Sequence, residues 1–158
     1  MQNILLTLVL SFLAVFATET HAGWDDYKQK TLEATIKEHK DILGTSDFNY
    51  TPGLPQLVMA KYTGETRNAP QDHETVIRGW VKMIGQKSEV AALFLQQFKF
   101  VENGKEYWLA VQKPLIPHLE KELQEGGPVW LYVVWIGTTK TDWVFVVNEF
   151  KKAERKKL

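Results

Sequence analysis

The 158-residue chain contains no cysteine. This excludes disulfide staples, thiol nucleophiles and thiolate metal ligands, so the fold must be held by its apolar core alone. It also excludes the lipid-bearing cysteine that a bacterial lipoprotein needs directly after its leader. Serine is scarce: beyond the first 22 residues only Ser46 and Ser88 occur. Neither has a nucleophile context, and no His-Glu-x-x-His, nucleophile elbow or phosphate loop is present. Charge of one sign is missing too, with 19 basic and 19 acidic residues, so no global field draws the chain to nucleic acid or an anionic membrane.

What is present begins with Ile4–Ala17, an uncharged apolar run of 14 residues. A membrane-spanning helix needs about 20 apolar residues, whereas a signal-peptide core needs roughly 7–15. Thr20 and Ala22 then supply a small-x-small site. Residues 1–22 therefore read as a signal peptide cleaved before Gly23, although Met1-Gln2-Asn3 lacks the usual basic residue. The expected address is periplasmic or secreted, with no integral membrane segment after cleavage. The absence of disulfides favours a bacterial envelope. Asn49-Tyr50-Thr51 is formally a glycosylation sequon but is read as chance, with Pro52 following it.

The remainder divides by composition. Residues 23–45 read as a helical arm, its helix running from 24 to 43. Asp25 or Asp26 starts it, Gly44 stops it, and Leu32, Ile36, His39 and Leu43 form a thin stripe. Residues 46–73, broken by Pro52, Pro55 and Pro70, read as an irregular connector holding one short strand at 56–62. From 74 to 152 the pattern becomes β-rich. Alternation over Thr75–Ile84 predicts a first strand bent at Gly79, and Ala91–Val101 a second. Asn103-Gly104 marks a hairpin into a third at Tyr107–Val111. Pro114 opens a short helix ended by Gly126-Gly127-Pro128. Val129–Ile136 and Trp143–Phe150 complete five strands, and residues 153–158 form a basic tail.

Three strands, a helix and a closing hairpin is the order of the five-stranded Greek-key barrel called the OB-fold. The expected class is therefore an all-β core with added helices, OB-like, carrying an extra N-terminal helix. The segment Thr75-Val-Ile-Arg-Gly-Trp-Val81 and the hairpin 129–150 (VWLYVVWIGTTKTDWVFVVNEF) resemble the first and last strands of the bacterial OB-fold family of small periplasmic, stress-linked proteins. The likeness covers about half the chain. It implies an exported binding module, and leaves the ligand open.

No catalytic constellation is found, so no enzyme activity and no cofactor is expected. His39, His73 and His118 are scattered. His118 and Glu122 share an i, i+4 spacing, but nothing nearby completes a ligand set, and no metal is expected. The aromatics are the suggestive set: five of the six tryptophans lie in the β-rich region. Strand 129–136 is apolar on both faces, so its second face must meet the N-terminal arm with Trp24, a partner, or a ligand stacking on rings. Trp80 beside Arg78 and Lys82, with Trp108, Trp130, Tyr132, Trp135 and Trp143, form the expected binding set. The function expected is recognition of a protein, glycan or small ligand through an aromatic sheet face, with nucleic acid disfavoured. The alternative is a non-catalytic interaction protein with a helix-wrapped antiparallel sheet of the cystatin or NTF2-like kind.

Overall fold

Residues 24–154 are described by a computed structural model. The leader expected at 1–22 and tail residues 155–158 lie outside the described residues. Among the described residues no helix is long and apolar enough to cross a membrane.

The chain is mostly β, with short helices. In order come β1 (Lys28–Gln29), α1 (Leu32–Glu38), β2 (Phe48–Asn68), α2 (Gln71–Met83), β3 (Gln96–Glu102), β4 (Lys105–Val111), α3 (Ile116–Glu122), β5 (Pro128–Thr139) and β6 (Trp143–Lys152). They build one six-stranded mixed sheet in the order β1-β2-β3-β4-β6-β5, and β2 also pairs with β5, so the hydrogen bonding runs round a ring. All the pairings within the ring are antiparallel except β4 with β6, where only Ala110↔Val146 and Val111↔Val147 meet.

The first strand of the ring is β2, and its place corrects two expectations. Residues 46–73 are not an irregular connector: 21 of them form β2, which pairs with β5 over Phe48–Lys61 and with β3 over Lys61–Asn68. The prolines had argued against a strand. Pro52 sits in the register shift between Tyr50 and Leu54, where the ladder is interrupted and a missing N–H costs little. A second shift, between Tyr62 and Thr66, holds Gly64 at φ 80° and turns the strand from one partner to the other.

Residues 74–84 are not a strand but most of α2. Thr75-Val76-Ile77 gave a β-branched, alternating signal, yet His73, Val76, Ile77, Trp80 and Val81 are the buried set, at helical spacing. Pro70 starts the helix, Asp72 and Glu74 occupy its first turn and Lys82 its last, as the helix dipole favours. Gly79 accordingly bends no strand.

The single helix expected over 24–43 is broken up. Trp24–Asp26 is one 3-10 turn, Lys28–Gln29 add a parallel strand to the β2 edge at Gln56–Leu57, and α1 follows. Thr31 Oγ1 accepts from the Ala34 amide, and the Glu102 carboxylate, from the far hairpin, accepts from the Leu32 and Glu33 amides at 2.9 and 3.2 Å. Two caps converge on the start of α1, and neither serves a helix starting at residue 24.

The remaining elements run close to expectation, except that residues 88–94 form a 3-10 segment and β3 begins only at Gln96. The Asn103-Gly104 hairpin is present, with φ 49° and 80° as a two-residue primed turn requires.

Two apolar cores lie on opposite faces of the sheet. The inner one joins Val58, Ala60 and Tyr62 of β2, Phe98 and Phe100 of β3, Leu109 and Val111 of β4, and inward residues of β5 and β6. Leu32 of α1 and Leu119 of α3, both fully buried, are included in it. The outer core seats Val76, Ile77, Trp80 and Val81 of α2 with Phe94 on Val134, Ile136, Val144 and Val146. This answers which layer covers the second face of strand 129–136: α2 takes most of it. Trp24 and Tyr27 cover Tyr132, with ring centroids 4.9 and 5.3 Å away.

Candidate functional site

α2 covers the outer faces of β5 and β6 but not the whole ring. On the outer faces of β2, β3 and β4 stand Arg67, Lys99 and Trp108, none of which belongs to either apolar core. Their juxtaposition follows from the sequence. The two-residue Asn103-Gly104 turn sets Glu102 against Lys105, and counting back along both strands sets Lys99 against Trp108. Arg67 lies opposite Gln97, one outer-face position further along β3.

The Arg67 guanidinium carbon lies 4.5 Å from the centroid of the Trp108 ring and the Lys99 ammonium 5.2 Å from it. Each such contact contributes about 0.5–1 kcal/mol when exposed and ~2 kcal/mol when dry. The two cations are balanced differently. Lys99 is held by Glu65 at 2.7 Å and Glu106 at 3.4 Å, and these carboxylates push its pKa up. Arg67 is half-buried and bonded through Nε to the Gln97 side-chain oxygen at 2.8 Å. Burial pulls its pKa down, with Asp142 and Asp72 acting in the opposite sense.

Behind Arg67 runs a chain of polar side chains. The guanidinium only donates, so Gln97 presents its oxygen to it and its amino group to His73 Nδ1, at 2.9 Å. Nδ1 is then an acceptor, and Nε2 carries the proton that goes to Asp142 Oδ2, also 2.9 Å away. Thus Arg67 selects the His73 tautomer through Gln97. His73 and Gln97 are 3% and 1% exposed, so the link between them is made inside the protein, while Arg67 and Asp142 reach it from the surface. For Asp142, burial pushes the carboxyl up. Hydrogen bonds from His73 and the Trp143 amide, with the Arg67 charge, outweigh it and hold the pKa below the ordinary value. The chain fastens three separate pieces: the first turn of α2, β3 and the turn between β5 and β6. Both ring nitrogens of His73 are committed to hydrogen bonds.

The expected site residues fall apart in the structure. Trp80, expected as the exposed aromatic, is 6% exposed beneath α2 and edge-on to Phe94 at 6.0 Å. Arg78 and Lys82 lie on the opposite, solvent side of that helix, Arg78 paired with Glu74. Trp135 and Trp143 are in the inner core, 5.0 Å apart, with the His39 ring 4.7 Å from Trp135. Tyr132 is capped by Trp24 and Tyr27. Trp130 is half-buried beside Met59, its cross-strand partner. Of the eight, Trp108 alone meets cations on an open face. Arg67, Gln97 and Asp142 were missed because nothing local marks them; the periodicity of β2 that orients Arg67 was hidden by its prolines and glycines.

Elsewhere, a shallow depression of about 230 Å³ lies between Glu122–Gln124, Gly127, Pro128, Lys152 and Ala153, at one end of α3. His118 and Glu122 stand 3.9 Å apart near it. Among the described residues no group of three His, Asp or Glu residues could hold a metal ion. No protein-family model matches the chain, and no curated protein matches it.

Proposed function

We propose that this chain is an exported binding module of the OB kind, which recognises its ligand on the outer face of β2, β3 and β4. Support for the architecture comes from the pairing order. The ring β2-β3-β4-β6-β5, with α3 between β4 and β5 and a long, bent first strand, matches the connectivity of the five-stranded Greek-key barrel. Such barrels bind on the face of their second and third strands, flanked by the loops after strands one and four. Here those loops are the α2-bearing connection and the Lys140–Asp142 turn, and the His73–Asp142 bond ties them together. An open sheet wrapped on one helix, as in the cystatin or NTF2-like reading, suits the parallel β4–β6 pairing less well. Export rests on the leader expected at residues 1–22; of the two segments that suggested a periplasmic family, the hairpin 129–150 keeps its strands, whereas 75–81 lies in α2.

The observation that carries the proposal is the placement of Trp108, Arg67 and Lys99 on the part of the outer face that no helix covers. Binding is favoured over catalysis because both ring nitrogens of the buried His73 are already bonded, to Gln97 and Asp142. The partner is a protein, glycan or small ligand, read by stacking and charge.

The test is a set of 1H–15N spectra of the protein with pools of short oligosaccharides and peptides. Ligand-induced shifts should concentrate on β2, β3 and β4 and on the Trp108 indole, and Trp108→Ala should weaken binding at least tenfold. Shifts centred on α2 or on the depression at residues 122–128, or a Trp108→Ala variant that binds normally, would refute the assignment.

A further inference from the structure

Arg67 differs from the other cations of the outer face. Lys99 is neutralised by two glutamates, and Arg78 by Glu74. Arg67 gives one N–H to the neutral Gln97 amide, and no carboxylate among the described residues forms an ion pair with it. Among the described residues no acceptor meets the donors of its Nη edge. The side chain is already ordered: Gln97 holds the Nε side, the Trp108 ring supports the plane, and His73 with Asp142 braces Gln97 from behind. A partly desolvated guanidinium fixed on an indole, its fork open, is pre-organised for a planar oxyanion.

The surroundings choose among oxyanions. Asp142 and Asp72 act on Arg67, while Glu65 and Glu106 stand beside Lys99. With these carboxylates near, a second negative charge on the ligand is repelled, whereas a single delocalised charge meets the fork in its own plane.

We infer that Arg67 is the anchor for a carboxylate group of the ligand, seated bidentately on its Nη edge against Trp108. This rests on the outer-face reading and narrows it: the ligand carries a free carboxylate, as an acidic sugar, a peptide C-terminus or a small organic acid does. Gln97 is a positioning residue, holding the guanidinium plane without touching the carboxylate.

The experiment uses benzoate, its neutral isostere benzamide, and inorganic phosphate, each titrated at constant ionic strength with sodium chloride as the balance. The readouts are the Arg67 Nε–Hε and Trp108 indole N–H signals of the wild-type protein. Benzoate should give saturating shifts of both, at least fivefold tighter than benzamide and than phosphate at pH 7. Arg67→Lys keeps the charge and loses the fork, so its benzoate affinity should fall to the benzamide level while its spectrum stays dispersed. Equal affinities for benzoate and benzamide would overturn the carboxylate assignment while leaving the outer face as a binding surface. Tighter binding of phosphate would overturn it in favour of a dianion, and shifts reproduced by chloride alone would overturn it as mere ion screening. Benzoate shifts absent from both signals, while pooled ligands still move Trp108, would remove Arg67 as anchor and leave the outer-face reading intact. Silence in both experiments would remove both.

Discussion

The Tyr50 ring fills the space that a side chain at Gly79 would need: a Cβ there would lie 2.4 Å from the Tyr50 Cε1 and Oη atoms. β2 and α2 meet closely at this point, so the missing side chain brings the helix down on the strand. Tyr50 is 40% exposed and can swing outward. In Gly79→Ala the gain in helix propensity, about 0.5–1 kcal/mol, therefore competes with loss of the Tyr50 contact. The single variant should change stability by less than ~1 kcal/mol, and the same substitution made in Tyr50→Ala should be plainly stabilising. Urea unfolding of the four proteins gives the coupling; additivity would mean that the ring does not press on the helix.

His73→Ala removes the middle of the polar chain and strands the buried Gln97 amide. An unsatisfied buried polar group costs about 1–3 kcal/mol. The variant should lose roughly that much in urea unfolding, and hydrogen exchange should quicken together in the first turn of α2 and in the Lys140–Asp142 turn. Exchange that quickens in α2 alone would show that the histidine does not hold the two loops together.

The Asp142 carboxyl titrates below its ordinary value in the folded protein, so at low pH the unfolded chain binds the proton first. The stability this group supplies is complete above the unfolded value near 3.8 and is lost as pH falls through the lower folded value. Asp142→Asn should flatten the stability profile on the acid side of pH 4. A wild-type slope kept in the variant would assign the acid loss to other groups.

Glu102 behaves in the opposite sense. Burial raises its pKa, and the amides of Leu32 and Glu33 offset this only in part. Here the folded state holds the proton more tightly, so stability falls as pH rises from the unfolded value of about 4.5 through the raised folded one. Glu102→Gln should lack this decline, while fraying α1 by taking one acceptor from its first turn. Near-parallel urea profiles for the two proteins between pH 4 and 7 would contradict the assignment.

The strand pairing visible in the sequence was the local kind. Asn103-Gly104 fixed the β3–β4 register, so the Lys99–Trp108 contact was in principle readable by counting from the turn. The closing hairpin was readable by its alternation and its polar turn. The first strand was not. Thr75-Val76-Ile77 favours a strand as an isolated segment, and what makes it helical is the length of 71–83, its charged ends and the apolar face of β5 waiting for cover. In the same way Pro52 of β2 is harmless because a register shift falls on it, a coincidence that depends on a partner strand far along the chain. The candidate site suffered most, since Arg67, Gln97, His73 and Asp142 come from four separate segments.

The β4–β6 junction, with two paired positions on each strand, is the narrowest link of the ring. Substituting Val146 by Ala should cost about 1–3 kcal/mol, a range set by the lost methyl groups and the cavity they leave. Amide exchange at Val111 and Gln112 should quicken more than exchange within the β2–β5 ladder. Uniform quickening would show that the ring opens as a whole.

Phe48 at the start of β2 finds its register partner in Thr139, 91 positions later. A chain that emerges from its amino end must therefore keep a 21-residue strand without its main neighbour until almost all the rest has followed. Such a bare edge invites pairing with another molecule. The two prolines and the two interruptions of β2 spoil it as a template for strangers. The features that disguise this strand also guard it during the wait.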